Sequence, residues 1–310
     1  MSHLYKLEDA APTRPSLVTI GVFDGLHKGH QTLIARVVAA ARAAHYDATV
    51  LTFHPHPDVV LRGITDRYYL TTPEQRAALL QEMGVDRVVT YPFDDAARQI
   101  SATDFVDDLL EHLNMKALWV GADFAMGYKR QGNVAFLKAY GEEKGFTVEA
   151  IPLVAHTEGD EVVSSSRIRE LLAEGNVDTV HDWLGRAYAV QGKVVQGDQR
   201  GRTIGFPTAN LDVWSQQIVP AYGVYACWAR FNGETHMAVT NIGVRPTFNG
   251  ENATVEAHLL GFDKDIYGVD VELSFEKRLR GEMKFNGIDA LVAQIQQDAV
   301  SARTYLQSVS

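Results

Sequence analysis

The sequence of 310 residues contains a single cysteine, Cys227. One cysteine excludes an intramolecular disulfide, and it also excludes a metal site built from paired CxxC motifs. Cys227 stands between Ala226 and Trp228. This apolar setting predicts a small core residue rather than a reactive thiol.

Long hydrophobic runs are absent as well. No stretch of about 18 uninterrupted apolar residues occurs, so neither a membrane span nor a membrane partner is expected. Residues 1–9 are mixed polar and acidic, which argues against a signal peptide. We therefore expect a cytoplasmic location. The chain also lacks internal repeats and low-complexity tracts.

Basic residues are comparatively few. The 29 Lys and Arg are outnumbered by 39 Asp and Glu, which gives a formal net charge of -10. Binding to bulk nucleic acid needs clustered Lys and Arg, so no nucleic-acid partner is expected. Phosphorylated small molecules remain compatible with an acidic chain, because backbone amides and a few side chains suffice to build a local phosphate site.

The predicted helices and strands divide the chain in two. From residue 17 to about residue 184, strand-like and helical segments alternate, which predicts an α/β domain with a largely parallel sheet. After Gly185, short strand-like segments separated by Gly, Pro and Asn turns predict an antiparallel barrel or sandwich. A last helix is predicted over about 288–306. We place the two domains at 1–184 and 185–310.

The first candidate site lies between a predicted strand over 17–20 and a predicted helix over 30–44. Glycines in this loop allow the backbone to approach a ligand, and free amides at a helix N-terminus attract phosphate. His27 and His30 are three residues apart, so their side chains can reach the same side of the helix entrance. Hydrogen-bond donors placed there would stabilise charge on a phosphorus under attack. A metal-binding histidine pair or a helix cap is the alternative interpretation.

Two further segments carry candidate ligands of the first domain. Ser164, Ser165, Arg167 and Arg169 form a second anion-binding candidate, although a serine cap followed by solvated arginines is an equally common arrangement. The sequence His-Pro-His-Pro over 54–57 could hold a metal. The prolines and the lack of further ligands favour a turn instead.

The second domain opens with a glycine-containing loop over 201–210. It is not a Walker A loop, because no Gly-Lys-Ser/Thr follows the glycines. In an extended segment Thr208 and Asn210 lie on one face, and their oxygens suit Mg²⁺ carried by a nucleotide. The alternative is a Gly-Pro turn that leads into a strand. Glu256 lies in a predicted strand, either as an exposed carboxylate or as a general base that accepts a hydroxyl proton.

Four segments of the first domain, over 21–30, 52–57, 120–124 and 164–169, resemble the N-terminal module of bacterial bifunctional riboflavin kinase/FAD synthetases. The resemblance implies a nucleotidyltransferase-type, Rossmann-like fold. It implies that His27 and His30 contact ATP phosphates, and that Ser164, Ser165 and Arg169 bind these phosphates. The other implied ATP-binding residues are Gly21, Phe23, Asp24, Gly25 and Gly29. The implied flavin-side residues are Phe53, Pro55, His56, Asp123 and Phe124.

The order of segments over 201–210, 222–225, 245–248 and 256 is similar to the riboflavin kinase domain of the same family, which has a small Greek-key barrel. The resemblance implies that Gly201 and Gly205 cradle ATP phosphates and that Thr208 and Asn210 hold Mg²⁺. It also implies that Glu256 activates the ribityl 5′-hydroxyl. The flavin-side residues implied in this domain are Arg245, Arg280 and Glu282.

Together the resemblances predict an enzyme that converts riboflavin and ATP to FMN and ADP, and then FMN and ATP to FAD and pyrophosphate. ATP and Mg²⁺ are the expected co-substrate and metal. The sequence departs from the family at Ala125 and Met126, where Arg and Phe are common, and this predicts weaker flavin stacking. The alternatives are an adenylyltransferase of another substrate, such as pantetheine phosphate or nicotinate, and a flavin-binding protein without turnover. No oligomeric state is predicted.

Overall fold

The computed structural model describes residues 1–151, 157–158, 161–197, 201, 204–247 and 250–309, without the side chains of 157, 158, 161, 245–247 and 250–252. Contacts divide the chain into two compact units, Met1–Ser164 and Ser165–Ser310. Residues 165–184 belong to the second unit by these contacts, whereas the sequence pattern groups them with the first domain. The domain boundary at residue 184 therefore stays a prediction.

The first unit contains a six-stranded sheet in the order β1-β4-β3-β2-β5-β8. Every pairing in this sheet is parallel. Two short hairpins, β6-β7 and β9-β10, accompany it. The strands are β1 Ser2–Leu4, β2 Ser16–Ile20, β3 Asp47–His54, β4 Arg87–Pro92, β5 Met115–Gly121, β6 Ala125–Met126, β7 Gly132–Asn133, β8 Thr147–Ile151, β9 Thr157–Glu158 and β10 Glu161–Val162.

The helices of the first unit begin at residues suited to capping. Thr72 and Gln75 form a capping box at the start of α3, and Ser101 and Asn133 cap α4 and α5 with their side chains. The helices are α1 Lys28–Ala43, α2 Pro57–Arg62, α3 Pro73–Glu82, α4 Ala102–Leu113 and α5 Val134–Lys144.

Helices cover the sheet of the first unit closely enough that β2 is buried along its whole length. Such continuous burial is typical of a parallel strand with helices on both faces. The chain leaves β2 through α1 to reach β3 on one side, and it later returns to β5 on the other side. Because the strand order reverses between β2 and β5, the loop after β2 lies at a topological switch point, where open α/β sheets bind ligands.

The second unit begins with two helices and continues as a closed antiparallel barrel in the order β11-β12-β15-β14-β13-β16. β13, β14 and β15 follow one another as hairpins and β16 returns beside β13, which is a Greek-key connection. The elements are α6 Ser165–Glu174, α7 Val177–Leu184, β11 Tyr188–Val195, β12 Ala209–Val213, β13 Gly223–Phe231, β14 Glu234–Thr247, β15 Gly250–Leu259, β16 Asp270–Arg280 and α8 Ile288–Ser308.

Helix α8 packs against the outside of the barrel. Its buried Ala302 and Leu306 contact Val224, Ala226 and Val239 of β13 and β14. Apolar burial of this kind fixes a helix that has no side-chain cap at its start.

The predicted fold class is confirmed: a parallel α/β sheet comes first, and a closed antiparallel barrel with a terminal helix follows. Differences are local. β4 begins at Arg87, two residues later than the apolar run that starts at Val85. The short strand β1 and helix α2 were not predicted, because three- and six-residue elements carry too little periodicity. Within the described part of the chain, no helix combines the length and apolar character needed to cross a bilayer.

Candidate active sites

The loop between β2 and α1, residues 21–27, forms the centre of the first site and is called the phosphate loop below. It follows the carboxyl end of β2 and leads into the N-terminus of the 16-residue helix α1. The first amides of that helix carry partial positive charge, which favours an anion. The sheet and the helix therefore place the loop where a phosphate group would be attracted.

The phosphate loop has an unusual backbone. Phe23 and Leu26 have φ angles of 51° and 45°, and Gly25 has a φ of 78°. Non-glycine residues in this left-handed region are strained, and the surrounding structure must hold them there. Gly21 is needed for a different reason, because an added Cβ would lie 2.8 Å from the ring of Phe23. Phe23 is 3% exposed, and its ring packs in the hydrophobic core of the unit.

His27 and His30 are brought together at the helix entrance, as predicted. Their rings stack with centroids 3.7 Å apart. The rings of Phe23 and His30 pack edge to face. His27 is also the N-cap of α1, because its Nδ1 accepts a hydrogen bond from the His30 backbone N–H at 3.4 Å. A neutral His27 with Nδ1 as acceptor carries its proton on Nε2, which can donate to a phosphate oxygen.

His30 lies in an environment that keeps it neutral. Burial lowers the pKa of His30 well below its ordinary value, and the nearby His27 and Arg76 lower it further. Its Nδ1 atom is buried, and it has no hydrogen-bond partner among the described residues. Sequence inspection could not have found this, since Arg76 is 46 positions away along the chain.

Asp24 has its carboxylate turned into the protein and is 1% exposed. It accepts hydrogen bonds from the backbone N–H groups of Leu70 and Thr71, at 3.0 Å each, and from the Thr71 hydroxyl. It also forms an ion pair with Arg76 at 3.5 Å. The side chain of Asp24 thus holds the loop, and an ATP contact of this residue stays a prediction.

Three of the residues predicted to border a flavin, Phe53, Pro55 and His56, lie at the carboxyl end of β3. Phe53 is half-buried, and its ring meets Tyr91 and Phe93 edge to face. His56 caps α2 by accepting a hydrogen bond from the Asp58 N–H at 3.0 Å, after the cis peptide bond that precedes Pro55. Among the described residues, no three His, Cys, Asp or Glu side chains cluster so as to hold a metal.

Asp123 and Phe124 follow the carboxyl end of β5. Asp123 is exposed, and its carbonyl oxygen accepts a hydrogen bond from Arg130 at 3.2 Å. Met126 packs in the core with Phe105 and neighbouring residues and is 9% exposed. The side chain at position 126 therefore contributes to the core of the unit.

In the serine and arginine segment, Ser164 is the last residue of the first unit and Ser165 is the first residue of the second. Ser165 is the first residue of α6, and Arg169 lies one turn further along the same helix. Arg167 forms ion pairs with Glu170 and Glu174 on that helix. The predicted roles of Ser164, Ser165 and Arg169 in holding phosphates stay predictions.

The second site is built on the outer face of the barrel. Glu256 of β15 is the direct cross-strand partner of Asn210 on β12 and of Asn241 on β14. Opposed residues have their Cβ atoms about 5 Å apart and their side chains on one face. Asn241 was not predicted, because only the strand register reveals that it neighbours Glu256.

Thr208 precedes β12 by one residue and lines a cavity of about 280 Å³ at the barrel. The loop between β15 and β16 contributes Phe262, Lys264 and Tyr267 to the same cavity. The oxygens of Thr208 and Asn210 are hard ligands of the type that Mg²⁺ prefers. Because Mg²⁺ takes only one or two protein ligands and completes its shell with water and phosphate, this donor set fits the metal.

Backbone hydrogen bonds join the described residues of the loop before Thr208. The carbonyl oxygen of Gly201 accepts a hydrogen bond from Phe206 N–H at 2.8 Å, and a Cβ on Gly201 would clash with the Phe206 carbonyl oxygen. Gly205 has a φ of 87°. His258, which was not predicted, anchors the loop through Nδ1 at 2.8 Å from the Pro207 carbonyl oxygen.

The predicted flavin-side residues of the second unit are spread over three elements. Glu282 lies close to Gly243, whose added Cβ would be 3.4 Å from Glu282 Oε1 and 3.3 Å from Asn241 Nδ2. Arg280 forms a bidentate ion pair with Asp298 of α8, at 2.8 Å for the shorter contact. The side chain of Arg245 lies outside the described residues. The flavin roles of these residues stay predictions.

Comparison with known proteins agrees with this geometry. A family model described as FAD synthetase matches residues 9–167, and one described as Riboflavin kinase matches residues 184–306. Two curated proteins, each named bifunctional riboflavin kinase/FMN adenylyltransferase, are similar over nearly their whole length. That of Listeria monocytogenes is 36% identical over 291 residues, covering 93% of this chain and 92% of the relative. That of Bacillus subtilis is 35% identical over 311 residues, covering 99% and 96%.

A solved structure is similar across both units. It is described as a macrolide-efflux protein from Streptococcus pneumoniae, and it is 30% identical to this chain with a TM-score of 0.85. The match covers 97% of this chain and 98% of the other.

Proposed function

The chain belongs to the family of bifunctional riboflavin kinase/FMN adenylyltransferases, and from this premise we propose how its two units divide the work. The second unit phosphorylates riboflavin with ATP to give FMN and ADP. The first unit then joins FMN to the adenylyl group of a second ATP, giving FAD and pyrophosphate. The FMN made by one reaction is the substrate of the other.

In the first unit, an oxygen of the FMN phosphate attacks the α-phosphorus of ATP, and the bond to pyrophosphate breaks. Negative charge grows on the phosphate oxygens as this happens. His27 Nε2–H, His30 and the first amides of α1 stabilise that charge. His30 acts as a neutral donor, which is consistent with its lowered pKa. No covalent enzyme intermediate is required, since phosphoryl transfer depends mainly on positioning and electrostatics.

In the second unit, Glu256 accepts the proton of the ribityl 5′-hydroxyl as that oxygen attacks the γ-phosphorus of ATP. The cavity beside Thr208 receives the nucleotide, and Thr208 and Asn210 would hold Mg²⁺. Bound there, the metal would supply positive charge against the transferred phosphoryl group. The cross-strand pairing of Asn210 with Glu256 supports this assignment, because it sets the proposed metal ligand beside the proposed base.

The observation that carries the proposal is the presence of two separate polar arrangements in one chain, the phosphate loop with its stacked histidines and the pairing of Asn210 with Glu256 on neighbouring strands of the barrel. The test is a time course with purified protein, riboflavin, ATP and Mg²⁺, in which FMN and FAD are separated chromatographically. FMN should appear first and FAD afterwards. A parallel reaction with FMN in place of riboflavin should yield FAD and pyrophosphate.

The same time course distinguishes the alternatives. An adenylyltransferase of another substrate would leave both flavins unchanged and would release pyrophosphate only with that substrate. A flavin-binding protein without turnover would bind riboflavin or FMN and form no product. Accumulation of FMN with no FAD would restrict the chain to the kinase reaction.

A further inference from the structure

Arg76 of α3 is fully buried, and its guanidinium group contacts three separate segments of the first unit. It forms the ion pair with Asp24 of the phosphate loop at 3.5 Å, and its Nε donates to Thr71 Oγ1 at 3.4 Å. Its Nη1 donates to Thr52 Oγ1 at 3.0 Å and to the Phe53 carbonyl oxygen at 3.2 Å. A single side chain thus joins the phosphate loop to the end of β3.

The partners of Arg76 extend the network to the loop backbone. Thr52 Oγ1 donates to the Val22 carbonyl oxygen at 2.7 Å, and the Gly25 N–H donates to Thr71 Oγ1 at 3.3 Å. The phosphate loop is therefore tied down at Val22, Asp24 and Gly25. Phe23 and Leu26 are the two non-glycine residues of this loop that adopt the left-handed conformation. The hydrogen bonds lie on both sides of Phe23 and at the residue before Leu26.

Stability by itself does not account for this arrangement. Taking two charges out of water costs about as much as their attraction returns, and apolar residues of similar size often serve a core as well. Several directional hydrogen bonds from one guanidinium group instead specify one arrangement of the groups they join. Strained loop residues of this kind persist where neighbouring structure holds them, commonly at functional sites.

We propose that Arg76 is a positioning residue for adenylyl transfer, which fixes the phosphate loop and the Thr52–Phe53 backbone in one arrangement through Asp24 and Thr52. The nucleotide side and the proposed flavin side of the site are thereby held at a constant separation. This inference rests on the proposed assignment of the phosphate loop to the adenylyl transfer reaction.

The charge of Arg76 gives the proposal a readout that a purely structural role would not move. Arg76 lowers the pKa of His30, together with burial and His27. It also lowers the pKa of His54, together with burial and against the opposing effect of Glu74. Removing the guanidinium should move both histidine pKa values upward.

The variants are Arg76→Lys, Arg76→Met, Thr52→Val and the double variant Asp24→Asn/Arg76→Met. The double variant removes both charges and so avoids an unpaired buried carboxylate. The matched control is Arg87→Met. Arg87 forms a buried ion pair with Asp47 at 3.5 Å and donates to Thr49 at 3.4 Å. Arg87 therefore makes the same kinds of contact as Arg76, an ion pair to Asp and a hydrogen bond to Thr, but at the amino ends of the strands and away from the phosphate loop.

Urea unfolding is measured first, and FAD formation from FMN is then compared with FMN formation from riboflavin in the same preparations. In the double variant we expect kcat for FAD formation to fall roughly tenfold or more, since small misplacements of reacting groups can cost about 10²-fold. FMN formation should be unchanged. Arg76→Lys should restore part of the rate, and Thr52→Val should lose less of it than the double variant does. When the guanidinium is absent, the pH profile of FAD formation should move to higher pH.

The proposal is overturned if the folded double variant forms FAD at the wild-type rate, or if Arg87→Met at equal urea midpoint loses as much. An unshifted pH profile would likewise reduce Arg76 to a structural residue. Wild-type protein that fails to convert FMN to FAD would instead refute the proposed function itself, so the two failures are distinguishable.

Discussion

Asn210 of β12 and Glu256 of β15 are direct cross-strand partners in the barrel, so their side chains leave the same face side by side. Asn241 of β14 flanks Glu256 on the opposite side. A carboxylate between two amide side chains is held in place by its strands rather than by a flexible loop. This relationship supports the proposed roles, in which Asn210 binds the metal and Glu256 accepts the proton.

Replacing Glu256 by Gln should abolish most riboflavin kinase turnover. The amide cannot accept the hydroxyl proton, and general-base catalysis typically contributes about 10²–10⁴-fold. FAD formation from FMN should continue in the same protein, because it takes place in the other unit. The measurement is chromatographic separation of FMN and FAD after single-substrate reactions.

The control for Glu256 is Asp212→Asn. Asp212 lies on β12, two residues beyond Asn210 and on the same outer face, and it is exposed. It should retain kinase turnover. Equal losses in the two variants would point to a general electrostatic effect on the barrel and would remove Glu256 from the mechanism.

Replacing His30 by Ala should slow FAD formation by about 10²-fold, the typical cost of losing one preorganised donor to a developing oxyanion. Riboflavin phosphorylation should be unaffected. Steady-state release of pyrophosphate from FMN and ATP measures the effect. His45→Asn is the control, because His45 is exposed beyond the far end of α1 with a φ of 57°, a conformation that Asn tolerates. A normal rate in His30→Ala would exclude the assigned role.

The first unit should lose stability as the pH falls below about 6.5. Burial lowers the pKa values of His3, His30 and His54 in the folded protein. In this range the unfolded chain binds protons that the folded chain does not, so the free energy of unfolding falls with falling pH. Urea midpoints of the first unit at pH 7.5 and 5.5 measure this, since carboxylates titrate mainly below that range.

His30→Gln should reduce that pH dependence, because one group that must stay neutral in the folded state has been removed. His45→Asn serves as the control and should show the wild-type slope. If His30→Gln and the wild type differ by the same amount at both pH values, His30 does not titrate in the way proposed.

Asp298→Asn should destabilise the second unit. Asp298 accepts hydrogen bonds from Arg280 and Gln294 and is 4% exposed, so the substitution leaves the guanidinium of Arg280, which is 17% exposed, without its counter-charge. Breaking a fully buried pair costs about 3–5 kcal/mol, so this partly exposed pair should cost on the order of 2 kcal/mol. The urea concentration at which kinase activity is half lost is the measurement. Asp289→Asn, in the exposed first turn of α8, should cost less than about 1 kcal/mol.

Local sequence predicted much of the architecture, for reasons visible at particular residues. His27 and His30 at a strand-to-helix junction indicated a histidine pair at a helix entrance, and their rings stack there. Cys227 was expected in the core and is fully buried. Each of these features depends on residues close together in the chain.

The sequence by itself determined the alternation of helices and strands, the glycines of the phosphate loop and the pairing of its two histidines. Only the tertiary structure decided that this loop lies at the strand-order switch, that Arg76 reaches Asp24 and Thr52, and that Asn241 neighbours Glu256. The physical reason is that strand order and register are set by contacts between distant segments, and a shift of one residue would turn each side chain to the other face. Periodicity along the chain defines the elements, whereas packing between them defines the site.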